Sequence, residues 1–163
     1  MSNISTLRRI LGTNRTLAIV GLSPQWHRPS FFAAKYMQAH GYRIVPVNPG
    51  ATEILGERCY PSVTAAAGAL ARDGIRIDMV DCFRKSEDIE PIADEAIAIG
   101  AKCLWLQLGV SNERAEAKAL AAGLDVVVNR CVKIERARLF GGLNWVGVNT
   151  KVISSRRPQQ LPY

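Results

Sequence analysis

The sequence predicts a doubly wound α/β fold: a parallel sheet of about five strands between two helical layers, a three-layer αβα arrangement. Short apolar runs rich in β-branched residues recur at 16–21, 42–48, 77–83, 102–108 and 124–129, and stretches of helical periodicity separate them. The connections are short, which favours right-handed crossovers between parallel strands. The runs are apolar nearly throughout rather than alternating, as in strands covered on both faces.

Taken in order, Ile4, Leu7, Ile10 and Leu11 fall at helical spacing over residues 3–12, and Gly12 supplies a stop. Residues 16–21 form the first strand. Gly21-Leu22-Ser23-Pro24 leads from it, through Gln25-Trp26-His27-Arg28-Pro29, to a helix that Ser30 opens as N-cap and that ends at His40. Tyr42 to Asn48 is the second strand. Pro46 within it removes a ladder donor, so a bulge or an unpaired position is expected there. Residues 51–60 show little periodicity, and Pro61-Ser62 opens an alanine-rich helix running to about Arg72. Ile77 to Phe83 is the third strand. Arg84-Lys85-Ser86 then introduces a helix over 87–99, in which Pro91 fits only the first turn.

Lys102 to Leu108 is the fourth strand, Ser111 serves as N-cap for a helix over 113–122, and Leu124 to Asn129 is the fifth strand. A strand order of 3-2-1-4-5 places a switch point beside the loop from Gly21. Beyond Arg130, residues 134–139 read as a basic helical turn broken by Gly141-Gly142, and Trp145 to Val148 as cover for a sheet edge. On this reading residues 1–153 are a single domain and 154–163 a loosely held tail.

Of the 163 residues, 48% are hydrophobic and 21% charged, an ordinary globular balance. No run approaches the roughly 20 apolar residues of a membrane span, nor does the start resemble a signal peptide, so a cytoplasmic location is expected. The net charge of +7 favours an anionic partner. No nucleic-acid motif accompanies it, which argues against that class of partner. Cys59, Cys82, Cys103 and Cys131 are scattered without a CxxC pair, so neither a metal site nor a disulfide framework is expected.

In sheets of this kind ligands bind at the carboxyl ends of the strands. Those ends are Gly21-Leu22-Ser23, Asn48-Pro49, Phe83-Arg84-Lys85, Gln107-Leu108-Gly109 and Asn129-Arg130-Cys131, with His27 and Arg28 beside the helix start at Ser30. Backbone donors at a helix N-terminus, together with these cations, suit a phosphate-bearing nucleotide. A dinucleotide site would want G-x-G-x-x-G and an acid at the end of the second strand. Here Gly21-x-Ser23-Pro24 and Asn48 stand instead. A nicotinamide-dependent oxidoreductase or redox sensor is therefore the alternative reading, and a basic scaffold protein a further one. No catalytic set is evident: His27 reads as a donor or packing residue, and Asp78 and Asp81 do not form an acid pair.

Taken together, Gly21-Leu22-Ser23-Pro24 with His27-Arg28-Pro29-Ser30, Pro46-Val47-Asn48-Pro49, Leu55-Gly56-Glu57, Trp105-Leu106-Gln107-Leu108-Gly109 and Asn129-Arg130-Cys131 resemble the small stand-alone CoA-binding proteins. These are similar to the N-terminal CoA-binding domain of the succinyl-CoA synthetase alpha subunit. The resemblance implies a Rossmann-like domain that binds coenzyme A or an acyl-CoA and lacks the phosphohistidine domain with which the synthetases do chemistry. It implies that the loop from Gly21 through Leu22 and Ser23, with the amides near Ser30, holds the pyrophosphate, and that Asn48 and Pro49 border an adenosine lying towards the second and third strands. Arg84 or Lys85, after Phe83, would meet the 3′-phosphate, while Gln107, Gly109 and Asn129 would line the pantetheine path. The thiol would then finish near Cys131, whose pKa Arg130 and Lys133 would lower, so that an added oxidant would join the two thiols in a mixed disulfide; the alternative is that Cys131 is a small residue packing the strand end. Most members carry a His after the Glu of the C-terminal basic segment, where this chain has Glu135-Arg136. A side chain placed at Gly21 is expected to block the phosphate with little loss of fold.

Overall fold

The computed structural model describes residues 3–141. Along the chain run α1 (Ile4–Thr13), β1 (Thr16–Val20), α2 (Pro29–Ala39), β2 (Arg43–Val47), β3 (Glu53–Ile54), β4 (Glu57–Arg58) and α3 (Val63–Ala71). They are followed by β5 (Met79–Cys82), α4 (Ile89–Ala98), β6 (Cys103–Leu106), α5 (Glu113–Ala121), β7 (Asp125–Val127) and α6 (Val132–Phe140). The five long strands form one parallel sheet in the order β2-β1-β5-β6-β7. Helices α1, α2 and α6 cover one face, and α3, α4 and α5 the other.

This order corrects the expected 3-2-1-4-5. The third long strand, β5, pairs with β1, Leu17 lying opposite Met79 and Val20 opposite Cys82, so that β2 is left at the edge. Pro46 explains the preference. It sits in unbroken register opposite Ile19, and its carbonyl accepts the Tyr60 N–H on the outer side. In a strand, a residue's N and C=O point the same way, so the missing donor of Pro46 faces the outer edge and costs β1 nothing. Of the two expectations there, a bulge or an unpaired position, the bulge is absent, and the position without a ladder donor lies on the outer side.

Several boundaries also differ for local reasons. Helix α1 runs through Gly12 to Thr13, and Asn14 ends it by directing both its backbone N–H and its side-chain amide to the Ile10 carbonyl. Helix α2 begins at Pro29, since proline suits the first helical position, and Ser30 is not its cap. Asn112, not Ser111, caps α5 by accepting the Ala115 N–H. Ser62 caps α3 as expected, and Pro91 falls in the first turn of α4. The aperiodic stretch after Pro49 holds the small antiparallel β3–β4 hairpin, whose Leu55 and Gly56 both take positive φ, as a tight type I′ turn requires. The basic turn near residue 134 is part of a full helix, α6. Trp145 to Val148 and the expected tail lie outside the described residues. No helix among those described is long and apolar enough to cross a membrane.

Candidate functional site

The chain leaves β1 towards one face through α2 and leaves β5 towards the other through α4, so the crossovers diverge between these neighbouring strands. Such a divergence opens a crevice at the carboxyl ends of the strands. A cleft of about 1120 Å³ lies there, bounded by the loop after β1, the N-terminal turn of α2, the segments after β5 and β6, and the start of α6.

Ten of the expected residues line it: Gly21, Ser23, His27, Arg28 and Ser30 on the first side, and Phe83, Arg84, Lys85, Gln107 and Cys131 on the second. Five do not. Leu22 is fully buried and belongs to the core, so its side chain cannot reach a ligand. Asn48 spends both ends of its amide on the backbone, donating to the Leu22 carbonyl and accepting the Gly50 N–H. Pro49 follows it in an exposed turn. Asn129 accepts the Gly109 N–H through Oδ1, tying the loop after β6 to that after β7.

Gly21 holds φ at +83°, and a Cβ there would lie 2.3 Å from the Phe83 carbonyl oxygen and 2.9 Å from the Arg84 side chain. The loop therefore passes so close to the end of β5 that only glycine fits. This overturns the expectation that a side chain at Gly21 leaves the fold intact. The Ser23 N–H donates to the Ser30 hydroxyl, and the Gln25 N–H to the Ser23 hydroxyl. Among the described residues no side chain caps the start of α2, where Arg28 is the N-cap, which leaves its positive end open to an anion. Arg28 donates to Gln25, and Arg84 lies 3.7 Å from Asp88 across exposed side chains. Among the described residues, four cations, Arg28, Arg84, Lys85 and Lys133, thus line the cleft against one carboxylate, Asp88.

Cys131 departs from expectation. Its thiol pKa is raised, chiefly by burial, against the opposing backbone N–H groups of Ile134 and Lys133 and, least of all, the Lys133 charge. Arg130 does not activate it, because that guanidinium pairs at 3.1 Å with Glu135, a buried carboxylate that also binds Arg138. The thiol is thus held in the less reactive protonated form. The Cys82 and Cys103 thiols are buried and raised further.

Asp81 is the residue that strand reasoning missed. It is fully buried on β5 between Ile19 and Trp105, and its Oδ1 accepts the Gln107 side-chain N–H at 2.7 Å. Oδ2 has no partner among the described residues. Burial raises its pKa to about 7, while Gln107 pulls the other way. The signal was present as an acid inside an otherwise apolar run, Met-Val-Asp-Cys-Phe.

Sheet and cleft together define a Rossmann-like α/β protein with its ligand crevice at the switch point. A family model described as CoA binding domain matches residues 15–137, and the chain belongs to that family. YneT of Bacillus subtilis (strain 168) is 34% identical over 131 residues, which is 80% of this chain and 92% of that protein. Among solved structures, a hypothetical protein from Pyrococcus horikoshii OT3 superposes with a TM-score of 0.79 at 38% identity, covering 86% of this chain and 94% of its own. The protein ID.343 from Thermus thermophilus gives a TM-score of 0.75 at 30% identity, covering 85% of this chain and 100% of its own.

Proposed function

We propose that this protein is a binding module for coenzyme A or an acyl-CoA, without catalytic machinery of its own. The observation that carries the reading is the charge and shape of the cleft: a glycine-tight loop and an uncapped helix N-terminus face Arg84, Lys85 and Lys133 across one crevice. A pyrophosphate needs backbone donors of this kind, and a 3′-phosphomonoester of roughly two negative charges needs Arg or Lys. In this arrangement the pyrophosphate lies over the segment from Gly21 to Ser30. The 3′-phosphate meets Arg84 or Lys85, and the pantetheine arm runs towards Gln107 and Cys131. Leu22, Asn48, Pro49, Gly109 and Asn129 frame the site rather than touch the ligand. NAD is disfavoured because Asn48 stands where an acid would take the ribose hydroxyls, and its amide is already committed.

Calorimetry with CoA, dephospho-CoA and NAD tests this. CoA is expected to bind, dephospho-CoA more weakly, and NAD at least about tenfold more weakly than CoA. Equal affinity for CoA and dephospho-CoA would remove the 3′-phosphate from the argument, and tighter binding of NAD would overturn the reading.

A further inference from the structure

A buried carboxyl with one unpartnered oxygen needs an explanation beyond packing, because burying a polar group without a partner is costly. Asp81 is such a group, and its single hydrogen-bond partner among the described residues, Gln107, lines the cleft while being 4% exposed. An ionised carboxylate only accepts hydrogen bonds, so it admits one orientation of its neighbour: the Gln107 amide nitrogen must point at Asp81. The amide is planar, so its oxygen is then turned away from the carboxylate. No described group donates to that oxygen.

We propose that Asp81 is a positioning residue for the ligand: it draws the Gln107 nitrogen into the sheet and so presents Oε1 in the cleft floor as an acceptor for an N–H of the pantetheine arm. The inference rests on the coenzyme A reading, since that arm carries two secondary amides. Protonation of Asp81 releases the constraint, because the acid can donate to Oε1 and let the amide flip. Among the described residues, no fixed charge holds Asp81 in one state. Ile19 of β1 and Trp105 of β6 flank it, α2 contributes the apolar Ala33, Ala34 and Met37 to that face, and the titratable groups whose fields couple to it are the thiols of Cys82, Cys103 and Cys131. Glu135 of α6 is neutralised by Arg130 and Arg138.

Calorimetry with dephospho-CoA, whose missing 3′-phosphate removes the ligand's own titration near neutrality, tests the role at about pH 6 and about pH 8. The wild-type chain is expected to bind about fivefold more tightly at the higher pH, the size of one ordinary hydrogen bond. Asp81→Asn should lose that advantage and show no such step, so that its difference from wild type isolates this carboxyl. Asp81→Asn should also add nothing to the loss caused by Gln107→Leu, because the carboxyl acts through that amide. Wild-type affinity and pH profile in Asp81→Asn, or losses that add, would overturn the role while leaving coenzyme A binding intact. A wild-type chain that binds neither CoA nor dephospho-CoA overturns the role together with the reading beneath it. Should Asp81→Asn fail to fold by circular dichroism, NMR of the wild-type chain decides: the Asp81 carboxyl and the Gln107 side-chain amide are expected to titrate with one midpoint, and independent titrations would overturn the proposal.

Discussion

Gly21 joins fold and site in one residue. Its positive φ and the Phe83 carbonyl 2.3 Å from where a Cβ would sit make any side chain doubly unfavourable. Gly21→Ala is therefore expected to cost about 2–3 kcal/mol and to weaken ligand binding, read from urea midpoints and calorimetry on the same sample. Unchanged stability would show that the end of β5 yields easily. Asp81 makes a prediction of opposite character. Its pKa is about 7 folded, against about 3.9 unfolded, so the native state holds a proton that the unfolded chain releases first. Stability from this group is full below about pH 4 and is lost as pH rises through about 7, by up to about 4 kcal/mol. Urea unfolding of wild type and Asp81→Asn between those limits should show wild type losing ground steadily. Parallel curves would mean that the carboxyl is not desolvated.

Among the elements, the start of α5 shows how one cap can organise two loops. Asn112 accepts the Ala115 N–H through Oδ1 and donates through Nδ2 to the Ser86 carbonyl, while the Ser111 N–H donates to the Ser86 hydroxyl. The segment after β5, which carries Arg84 and Lys85 into the cleft, is thereby anchored to the segment after β6. Asn112→Ala is expected to lower stability by about 1 kcal/mol in urea unfolding, the ordinary worth of a lost N-cap, and Asn112→Ser to recover much of it. No loss in the alanine variant would mean that water replaces the cap. Sequence pattern located this helix but chose Ser111 as its cap, since both residues are good cap formers and only the backbone path past Gly109 decides between them.

For the whole molecule, the net charge of +7 and the cationic lining of the cleft act in the same direction. Their joint attraction for a polyanionic ligand is screened by salt, strongly for exposed groups such as Arg84. Raising the salt from about 50 mM to about 0.5 M is expected to weaken CoA binding several-fold and dephospho-CoA binding less, as followed by calorimetry. Equal salt sensitivity of the two ligands would show that the 3′-phosphate lies outside the cationic wall.

Local periodicity, together with the rule that ligands meet strand ends, made the αβα class, the five parallel strands, most helix positions and ten residues of the cleft legible in the residues alone. Tertiary structure alone decided the strand order. An apolar run does not name its neighbour, and only the outward-facing nitrogen of Pro46 shows why β2 belongs at the edge. It alone also separated residues that line the cleft from those that frame it: Asn48 and Asn129 look available in sequence, but their amides are consumed by backbone groups folded against them. Asp81 and the Arg130–Glu135–Arg138 cluster belong to the same category. The state of a buried charge depends on what surrounds it in space, and their surroundings are assembled from strands and helices distant along the chain.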